Sequence, residues 1–368
     1  MKVALVHDYL REYGGAERVV EVLHEMYPQA PLYTAFVDWG NLGEMGERFK
    51  SWDIRVSPVG NIWCMRKFHS PLRFLTPLVW ESLDLSGFDV VISSSGWFIS
   101  RGVITHPGQV HISYIHHPPR NLYGYATGST QKNSLIRAYA GVINPFLRIY
   151  DYSVMQRVDY IIANSQETKR RIQKFYRREA EVIYPPVTIS NFKFQISNSQ
   201  IKNKSYFLSV GRLTYAKRVD LAIGACNLLK LPLKIIGTGK EEKYLRSIAG
   251  PTIELLGNVS DNVLQGLYTR AKALIFCALE EDFGMVPVEA MQNGIPVIAL
   301  KQGGVMETVI TGKTGLFFEK PETEALAQVL KQFLALKRDW TLDCTKWGQV
   351  FNKEVFIKKM SEFVFKVI

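Results

Sequence analysis

The apolar residues in the first half of the chain form short continuous runs separated by amphipathic stretches. Because these runs are continuous and rich in β-branched residues, they are typical of parallel strands covered on both faces. The predicted strands are Val3–His7, Leu32–Val37, Asp89–Ser93, His111–His116 and Tyr160–Asn164. Amphipathic segments such as Ala16–Tyr27 and Gln166–Arg177 are predicted to be helices.

A second series of strands and helices begins near residue 206. The predicted strands are Tyr206–Val210, Leu233–Ile236, Ile253–Leu256, Ala273–Cys277, Pro296–Ala299 and Gly315–Phe317. The predicted helices are Val219–Lys230, Glu241–Ile248, Asn262–Arg270, Val286–Asn293 and Glu322–Ala335. Strands that alternate with helices predict a doubly wound sheet. The expected fold class is therefore α/β, with two Rossmann-like domains in tandem.

A break between the two series predicts an interdomain linker. Tyr184-Pro185-Pro186-Val187 is followed by the polar stretch Ser197–Lys204, and prolines before an Asn/Ser/Lys run are typical of such linkers. We expect domains over residues 1–190 and 200–349, and a last helix near Lys353–Phe365 that can belong to either. Ligands of doubly wound sheets bind beyond the carboxyl ends of the strands, so we expect the site in a cleft between the domains.

Composition narrows the class of protein. The 368 residues include 45 Lys and Arg against 34 Asp and Glu, a net charge of +11, which favours anionic partners. The four cysteines form no CxxC pair, which argues against a disulfide framework and a structural zinc. The apolar run in MKVALVHDYL is too short for a signal peptide, and no uncharged run reaches about 18 residues. The expected location is cytoplasmic.

Two glycine-containing loops are candidates for phosphate binding. Tyr13-Gly14-Gly15-Ala16-Glu17-Arg18 opens a helix, whose free N–H groups suit a phosphate, although a plain strand-to-helix turn explains it equally well. Gly211-Arg212-Leu213-Thr214-Tyr215-Ala216-Lys217 follows a strand and offers two cations for a diphosphate, with two solvated surface cations as the alternative. Gly237-Thr238-Gly239-Lys240 resembles half of a dinucleotide fingerprint and is weak on its own.

Two further motifs carry polar side chains. Glu280–Ala290 joins three acids to Phe283-Gly284 and then to Glu289, so its carboxylates can accept hydrogen bonds from sugar hydroxyls. An acidic first helical turn explains Asp282 but not the second carboxylate. Tyr114–Arg120 places two histidines at a strand end, where one can donate to a phosphate or sugar oxygen. No third ligand stands at metal-binding spacing, so no metal site is predicted.

Basic and aromatic residues are interleaved over Ile62–Trp80. This segment contains no acidic residue, and the pattern suggests an interfacial helix on a membrane, which Pro71 and Pro77 would interrupt. A core-facing segment is an equally good interpretation. Arg148–Arg178 adds eight basic residues against three acidic ones, as part of the same basic face or as solvated charges.

These motifs, in this order, resemble the retaining glycosyltransferases of family 4, which have the two-domain GT-B fold. The resemblance covers nearly the whole chain. It rests on Gly14-Gly15, His116, Gly211-Arg212 with Lys217, Gly257–Asp261, Glu281–Glu289, Gly294–Ala299 and Gly303-Gly304-Val305-Met306-Glu307. Tyr114–Arg120 and Glu280–Ala290 look most like the bacterial mannosyltransferases that build O-antigen and related polysaccharides. In one departure, Arg218 stands where the family often has glycine after the lysine.

The resemblance implies a role for each matching residue. The donor would lie on domain two and the acceptor on domain one. The implied catalytic residues are His116 near the sugar, Arg212 and Lys217 on the departing diphosphate, and Glu281 on the sugar hydroxyls. The implied donor-binding residues are Gly14, Gly15, Gly211, Val259 at the base, Phe283, Gly284, Met285 and Glu289 at the ribose. No cofactor and no metal are implied besides the nucleotide-sugar substrate.

The resulting hypothesis is retaining, metal-independent transfer of a hexose to a glycan or lipid-linked acceptor in cell-surface polysaccharide synthesis. The expected donor is GDP-mannose, and peripheral contact with an anionic inner membrane is compatible with the charge. The alternatives are a UDP-sugar-dependent transferase of the same fold, and a nucleotide-sugar epimerase or hydrolase. A nucleic-acid-binding protein is disfavoured because the charge is dispersed and no RNA- or DNA-binding motif is present. A dehydrogenase lacks its GxGxxG, and a glycosidase lacks its carboxylate pair.

Overall fold

The computed structural model describes residues 1–126, 134–187 and 204–368. The chain divides into two compact units. Unit 1 contains residues 1–125, 131–186 and 353–368, and unit 2 contains residues 126–130 and 187–352. The expected domain limits at 190 and 200, and the linker residues 197–203, lie outside the described residues.

The described part of unit 1 forms a seven-stranded parallel sheet. Its strands are β1 (Val3–His7), β2 (Leu32–Thr34), β3 (Ile54–Val56), β4 (Val90–Ser95), β5 (Val110–Ile115), β6 (Tyr160–Ala163) and β7 (Glu181–Val182), in the order β3-β2-β1-β4-β5-β6-β7. Its helices are α1 (Gly15–Met26), α2 (Trp39–Leu42), α3 (Trp63–Phe68), α4 (Thr76–Glu81), α5 (Ser134–Arg157) and α6 (Gln166–Tyr176). Short 3₁₀ turns lie at Gly43–Phe49, Arg73–Leu75 and Ser100–Gly102.

Burial on both faces explains why the first strand is apolar throughout. Val3 and Leu5 belong to one hydrophobic cluster, while Ala4 and Val6 belong to another on the opposite face of the sheet. Successive side chains of a strand point to opposite faces, so both faces of β1 must be apolar to be covered. The continuous run Val3–His7 is the result, and its predicted bounds are confirmed.

Unit 2 forms a six-stranded parallel sheet. Its strands are β8 (Tyr206–Val210), β9 (Leu233–Ile236), β10 (Ile253–Gly257), β11 (Ala271–Phe276), β12 (Val297–Leu300) and β13 (Gly315–Phe318), in the order β10-β9-β8-β11-β12-β13. Its helices are α7 (Val219–Leu229), α8 (Glu242–Ile248), α9 (Asp261–Arg270), α10 (Met285–Gln292), α11 (Val305–Thr308), α12 (Thr323–Ala335) and α13 (Thr341–Gly348), with 3₁₀ turns at Tyr215–Lys217 and Gln349–Phe351. All four cysteines, Cys64 in unit 1 and Cys226, Cys277 and Cys344 in unit 2, are free thiols.

The last helix, α14 (Lys353–Val367), packs into the core of unit 1. Phe356, Met360 and Val364 are buried at i, i+4 and i+8, the spacing of one helix face, and they join the cluster that contains Val3 and Leu5. The core of unit 1 therefore includes residues from both ends of the chain.

Replacing Phe356 with alanine tests this packing. Phe356 is 1% exposed and packs edge-on against the ring of Tyr114 at 5.9 Å, so Phe356→Ala leaves a cavity in the core of unit 1. We expect a loss of about 3–5 kcal/mol in the free energy of unfolding, measured by denaturant titration. The control, Phe365→Ala on the same helix, removes a ring that is 89% exposed, and a change below about 0.5 kcal/mol is expected. Equal losses in the two variants would contradict the assigned packing.

Candidate functional site

The strand order of unit 2 reverses between β8 and β11. Strands β9 and β10 continue on one side of β8, and strands β12 and β13 continue on the other side of β11. The loops after two adjacent parallel strands diverge at such a point and leave a crevice at the carboxyl edge of the sheet. Lys217 lies in the connection after β8, and Glu281 lies in the connection after β11.

Lys217 and Glu281 form an ion pair at this switch point. The Nζ of Lys217 donates to Oε2 of Glu281 at 2.7 Å, and the ammonium lies 5.5 Å from the centre of the Phe276 ring. The side chains are 25% and 20% exposed, so both remain accessible to a ligand. A backbone hydrogen bond from Leu279 to Ala216, at 2.8 Å, ties the two loops together. The structure thus brings together two residues that are 64 positions apart.

Two residues on either side of Lys217 have positive φ angles. Gly211 has a φ of +147°, and the exposed Arg212 follows it directly after β8. Arg218 has a φ of +45°, in the left-handed region that glycine adopts at little cost. This angle explains why the family pattern often has glycine here. In this chain Asp220 receives three hydrogen bonds from the Arg218 guanidinium at 2.9–3.2 Å, which helps to hold the strained residue.

Two glycines pack against the backbone of the acidic loop, which contains Glu280, Glu281 and Asp282. The N–H of Gly304 donates to the carbonyl of Glu281 at 2.7 Å. A Cβ on Gly303 would lie 2.3 Å from that same carbonyl oxygen, and a Cβ on Gly304 would lie 2.2 Å from the carbonyl oxygen of Asp282. Only glycine allows this close approach, so the segment that begins at Gly303 fixes the position of the loop that carries Glu281.

The other predicted donor-binding residues of unit 2 lie at or after strand ends. Gly284 has a φ of +88° and precedes Met285, the first residue of α10. Phe283 is buried, and its ring packs against Phe351 at 5.6 Å. Val259 is half-buried after β10, which is separated from β8 by β9. The backbone N–H groups of Phe283, Gly284 and Met285 therefore lie at the start of α10, shortly after Glu281 in the chain.

Glu289 lies inside α10 and is 9% exposed. The hydroxyl of Tyr268 donates to its Oε2 at 3.2 Å. Sequence reasoning missed Tyr268, because nothing in its local pattern on α9 distinguishes it from a core aromatic residue. The weak Gly237-Thr238-Gly239-Lys240 motif has a packing explanation, since Cβ atoms on its two glycines would clash with the carbonyl oxygens of Gly211 and Leu213.

A second polar cluster lies at the corresponding edge of unit 1. The order of that sheet reverses between β1 and β4, and Gly14 and Gly15 follow β1 at the start of α1. The N–H of Gly14 donates to Oε2 of Glu17 at 2.9 Å. The carboxylate of Glu17 is buried, so it fixes the glycine turn from inside the protein.

His116 is joined to this turn through buried side chains. Its Nε2 lies 2.7 Å from Oγ of Ser94, and Nδ1 of His7 lies 3.2 Å from the same oxygen. The Nε2 of His7 lies 3.5 Å from Oε1 of Glu17. A continuous polar chain therefore connects His116, Ser94, His7 and Glu17 with the backbone of Gly14.

His7 and His116, the two histidines of this polar network, prefer opposite charge states. Burial on its own lowers the pKa of His7, but the hydrogen bond and charge of Glu17 outweigh it, so the pKa of His7 is raised above 6.5. Burial, with the charges of His7 and His117, holds the pKa of His116 well below 6.5. A charged His7 can donate from both ring nitrogens, which leaves the Ser94 hydroxyl to donate to Nε2 of a neutral His116.

Asp8 fixes the loop that follows β4. Its carboxylate accepts backbone N–H groups from Gly96 and Phe98 at 3.0 Å each and from Ser100 at 2.9 Å. Sequence reasoning missed His7, Asp8, Glu17 and Ser94 as parts of the site. The available signal was the pair His7-Asp8 at the end of the first strand, since polar residues at the carboxyl end of a buried strand favour a site.

No group of three or more His, Cys, Asp or Glu side chains in ranges 1–126, 134–187 and 204–368 is placed to hold a metal ion. No helix in those ranges is long and apolar enough to cross a membrane.

Two family models match consecutive parts of the chain. The model described as Glycosyltransferase Family 4 matches residues 13–191, and the model described as Glycosyl transferases group 1 matches residues 191–349. Together they include both polar clusters except His7, the last residue of β1, and Asp8, which follows it. The chain belongs to glycosyltransferase family 4.

Individual relatives are distant. An uncharacterised glycosyltransferase of Methanocaldococcus jannaschii is 32% identical over 180 residues, which are 48% of this chain and 50% of that protein. The alpha-1,3/1,6-mannosyltransferase ALG2 of Eremothecium gossypii is 26% identical over 378 residues, covering 85% of this chain and 71% of that one. The chain spans about half the length of several curated relatives that it matches.

A solved structure supports the fold. Anabaena HepE, in complex with UDP, has a TM-score of 0.70 with 18% sequence identity, over 100% of each chain. At this identity the likeness is evidence of the fold alone. The two units of this family 4 chain are the Rossmann-like domains of the GT-B fold, as the sequence predicted.

Replacing Glu17 with glutamine tests the charge of His7. Glu17→Gln keeps an acceptor for Gly14 but removes the negative charge, so the pKa of His7 is expected to fall below its wild-type value in an NMR titration. Because folding raises this pKa, charged His7 stabilises the fold below pH 6.5, and that contribution is lost as the pH rises through the folded-state pKa. The stability difference between wild type and variant should therefore be largest at acid pH. Glu21 accepts hydrogen bonds from Tyr13 and Arg48, so Glu21→Gln is the control and should leave the titration of His7 unchanged.

Replacing Gly304 with alanine tests the support of the acidic loop. The new Cβ would meet the backbone of Asp282, so we expect Gly304→Ala to lose about 1–3 kcal/mol of unfolding free energy. Gly266→Ala is the control: no atom lies within 4 Å of the Cβ on this helical glycine, and a gain of up to about 1 kcal/mol is expected. Denaturant titration of both variants measures the difference, and an unperturbed Gly304→Ala protein would refute the assigned contact.

Proposed function

We propose that this family 4 chain transfers a hexosyl unit from a nucleotide sugar to a glycan or lipid-linked acceptor. The observation that supports this proposal most strongly is the Lys217–Glu281 ion pair at the switch point of unit 2. It places a cation for a diphosphate next to a carboxylate that can accept hydrogen bonds from sugar hydroxyls. In a nucleotide sugar the diphosphate and the sugar hydroxyls lie side by side, so one molecule could contact both side chains.

Negative charge develops on the diphosphate as the bond to the sugar breaks. A cation fixed in advance lowers the energy of that charge without a reorganisation cost during the reaction. In the proposal, the Lys217 ammonium exchanges Glu281 for a phosphate oxygen when the donor binds, and Arg212 adds a second cation from the end of β8. These two cations supply the stabilisation, so the proposed reaction needs no metal.

The remaining residues are assigned by their places in the fold. Glu281, released from Lys217, would accept hydrogen bonds from the donor hexose, and Glu289, positioned by Tyr268, would bind the ribose. Val259, after β10, would contact the base. In unit 1, the N–H of Gly15 would contact a phosphate, and neutral His116 would lie near the sugar.

The proposed donor is GDP-mannose, and the anomeric configuration is expected to be retained. The mannosyltransferase ALG2 relative supports mannose. A UDP-sugar is the second candidate, because the sequence leaves the base of the donor open. The acceptor is proposed to belong to cell-surface polysaccharide synthesis. Retention implies that the product bond has the same anomeric configuration as the donor.

Donor turnover, measured with and without acceptor, distinguishes a transferase from a hydrolase or an epimerase and identifies the donor. The purified chain would be incubated with GDP-mannose or UDP-glucose, with and without a glycolipid extract, and nucleotide release would be followed. The proposal predicts release from GDP-mannose that rises at least tenfold with acceptor. Release that is independent of acceptor would support a hydrolase, a rearranged nucleotide sugar would support an epimerase, and a response to UDP-glucose alone would overturn the mannosyl donor.

Replacing Lys217 with alanine tests the diphosphate contact. A hydrogen bond to a charged group contributes about 1.5–3 kcal/mol, so Lys217→Ala should weaken GDP binding about 10- to 100-fold in calorimetry while guanosine binding changes less than about twofold. Lys234→Ala is a matched control, since Lys234 is also 25% exposed, pairs with a glutamate at 3.0 Å and lies over an aromatic ring. Equal losses for GDP and guanosine would refute the contact.

A further inference from the structure

Helix α5 carries an apolar stripe on the side opposite its buried face. Leu135, Val142, Phe146 and Ile149 are 62–77% exposed, with Phe146 at 67%. A helix turns 100° per residue, so these four positions lie within about 60° of one another. Leu147 and Val154, on the other side of the helix, are buried in the core of unit 1. The stripe therefore lies on the surface of unit 1, on the side of α5 away from the core.

A second exposed apolar segment contacts this helix. The hydroxyl of Tyr139 donates to the carbonyl of Pro71, and Arg73 donates to Oδ1 of Asn144 at 2.6 Å. These bonds join α5 to the segment 62–78. As predicted, its prolines break a long helix, and the structure has α3, a 3₁₀ turn and α4 instead. The exposed apolar residues of this segment are Ile62, Trp63, Phe68, Phe74 and Leu78.

The charges of these two segments have one sign. Residues 62–80 and 134–150 contain Arg66, Lys67, Arg73, Arg137 and Arg148 and no Asp or Glu. Lys67 lies 5.1 Å from the centre of the Trp63 ring, so a cation and an aromatic side chain occupy the same part of the surface. By contrast, the later cations of Arg148–Arg178 include Arg170 and Arg171, which pair with Glu167.

We infer that this cationic apolar surface of unit 1, formed by residues 62–78 and the stripe of α5, binds an anionic lipid bilayer. Apolar side chains would enter the boundary between headgroups and acyl chains, while Arg and Lys side chains would extend to the phosphates. Charge complementarity selects this partner over a second copy of the chain. A two-fold dimer through the same surface would bring these cations against one another, which is unfavourable.

Vesicle co-sedimentation of the full chain tests this inference and needs no substrate, so its result does not depend on the proposed function. The wild-type chain should bind vesicles of phosphatidylcholine with about a third phosphatidylglycerol at least tenfold more tightly than pure phosphatidylcholine, and salt should weaken the binding. Phe146→Ser removes an apolar side chain from the stripe and should weaken binding to anionic vesicles about tenfold or more.

Phe365→Ser provides the matched control, because Phe365 is also exposed on a helix of unit 1 but lies outside both segments. Its vesicle binding should equal that of the wild type, and both variants should keep the wild-type melting temperature. Equal binding by the two variants would overturn the inference, as would equal binding to neutral and anionic vesicles. A dimer that Phe146→Ser dissociates, seen by light scattering, would identify the surface as an interface between copies and overturn it as well.

Discussion

Parallel pairing of the strands is the constraint on which both units depend. In a parallel sheet every strand delivers its following loop to the same edge, so residues far apart in sequence meet there. Lys217 and Glu281 meet because β8 and β11 are neighbours, although β9 and β10 lie between them along the chain. In unit 1, the adjacency of β1, β4 and β5 brings together His7, Ser94 and His116 in the same way.

The two clusters are held by different kinds of interaction. In unit 2, a partly exposed ion pair is positioned by backbone geometry, since Gly303 and Gly304 press against the loop of Glu281 and Arg218 is held at a positive φ. Because this pair keeps access to solvent, Lys217 can exchange its partner at a lower cost than a fully buried charge could. In unit 1, the chain from Glu17 through His7 to His116 is buried, and a buried polar network is costly to break. The first arrangement suits a group that changes partner on binding, and the second suits a group that is held in place.

The sequence predicted most strands of both sheets, because strands covered on both faces must be apolar along their whole length. It did not predict β3 and β7, which are only three and two residues long. It also did not predict α5, whose Pro145 and exposed apolar stripe obscure the usual amphipathic pattern. Lys217 and Glu281 were recognisable from their motifs, but their ion pair depends on the order of the strands, and the sequence motifs contain no information on it. Ser94 and Tyr268 resemble ordinary core residues until their partners are known.

A crystal structure of the chain with GDP-mannose bound would test whether the switch point of unit 2 binds the diphosphate of a nucleotide sugar. We expect phosphate oxygens within hydrogen-bonding distance of Lys217 Nζ, with the Lys217–Glu281 contact broken and the Glu281 carboxylate on the hexose. A diphosphate bound elsewhere on the chain, with the Lys217–Glu281 pair intact, would contradict it.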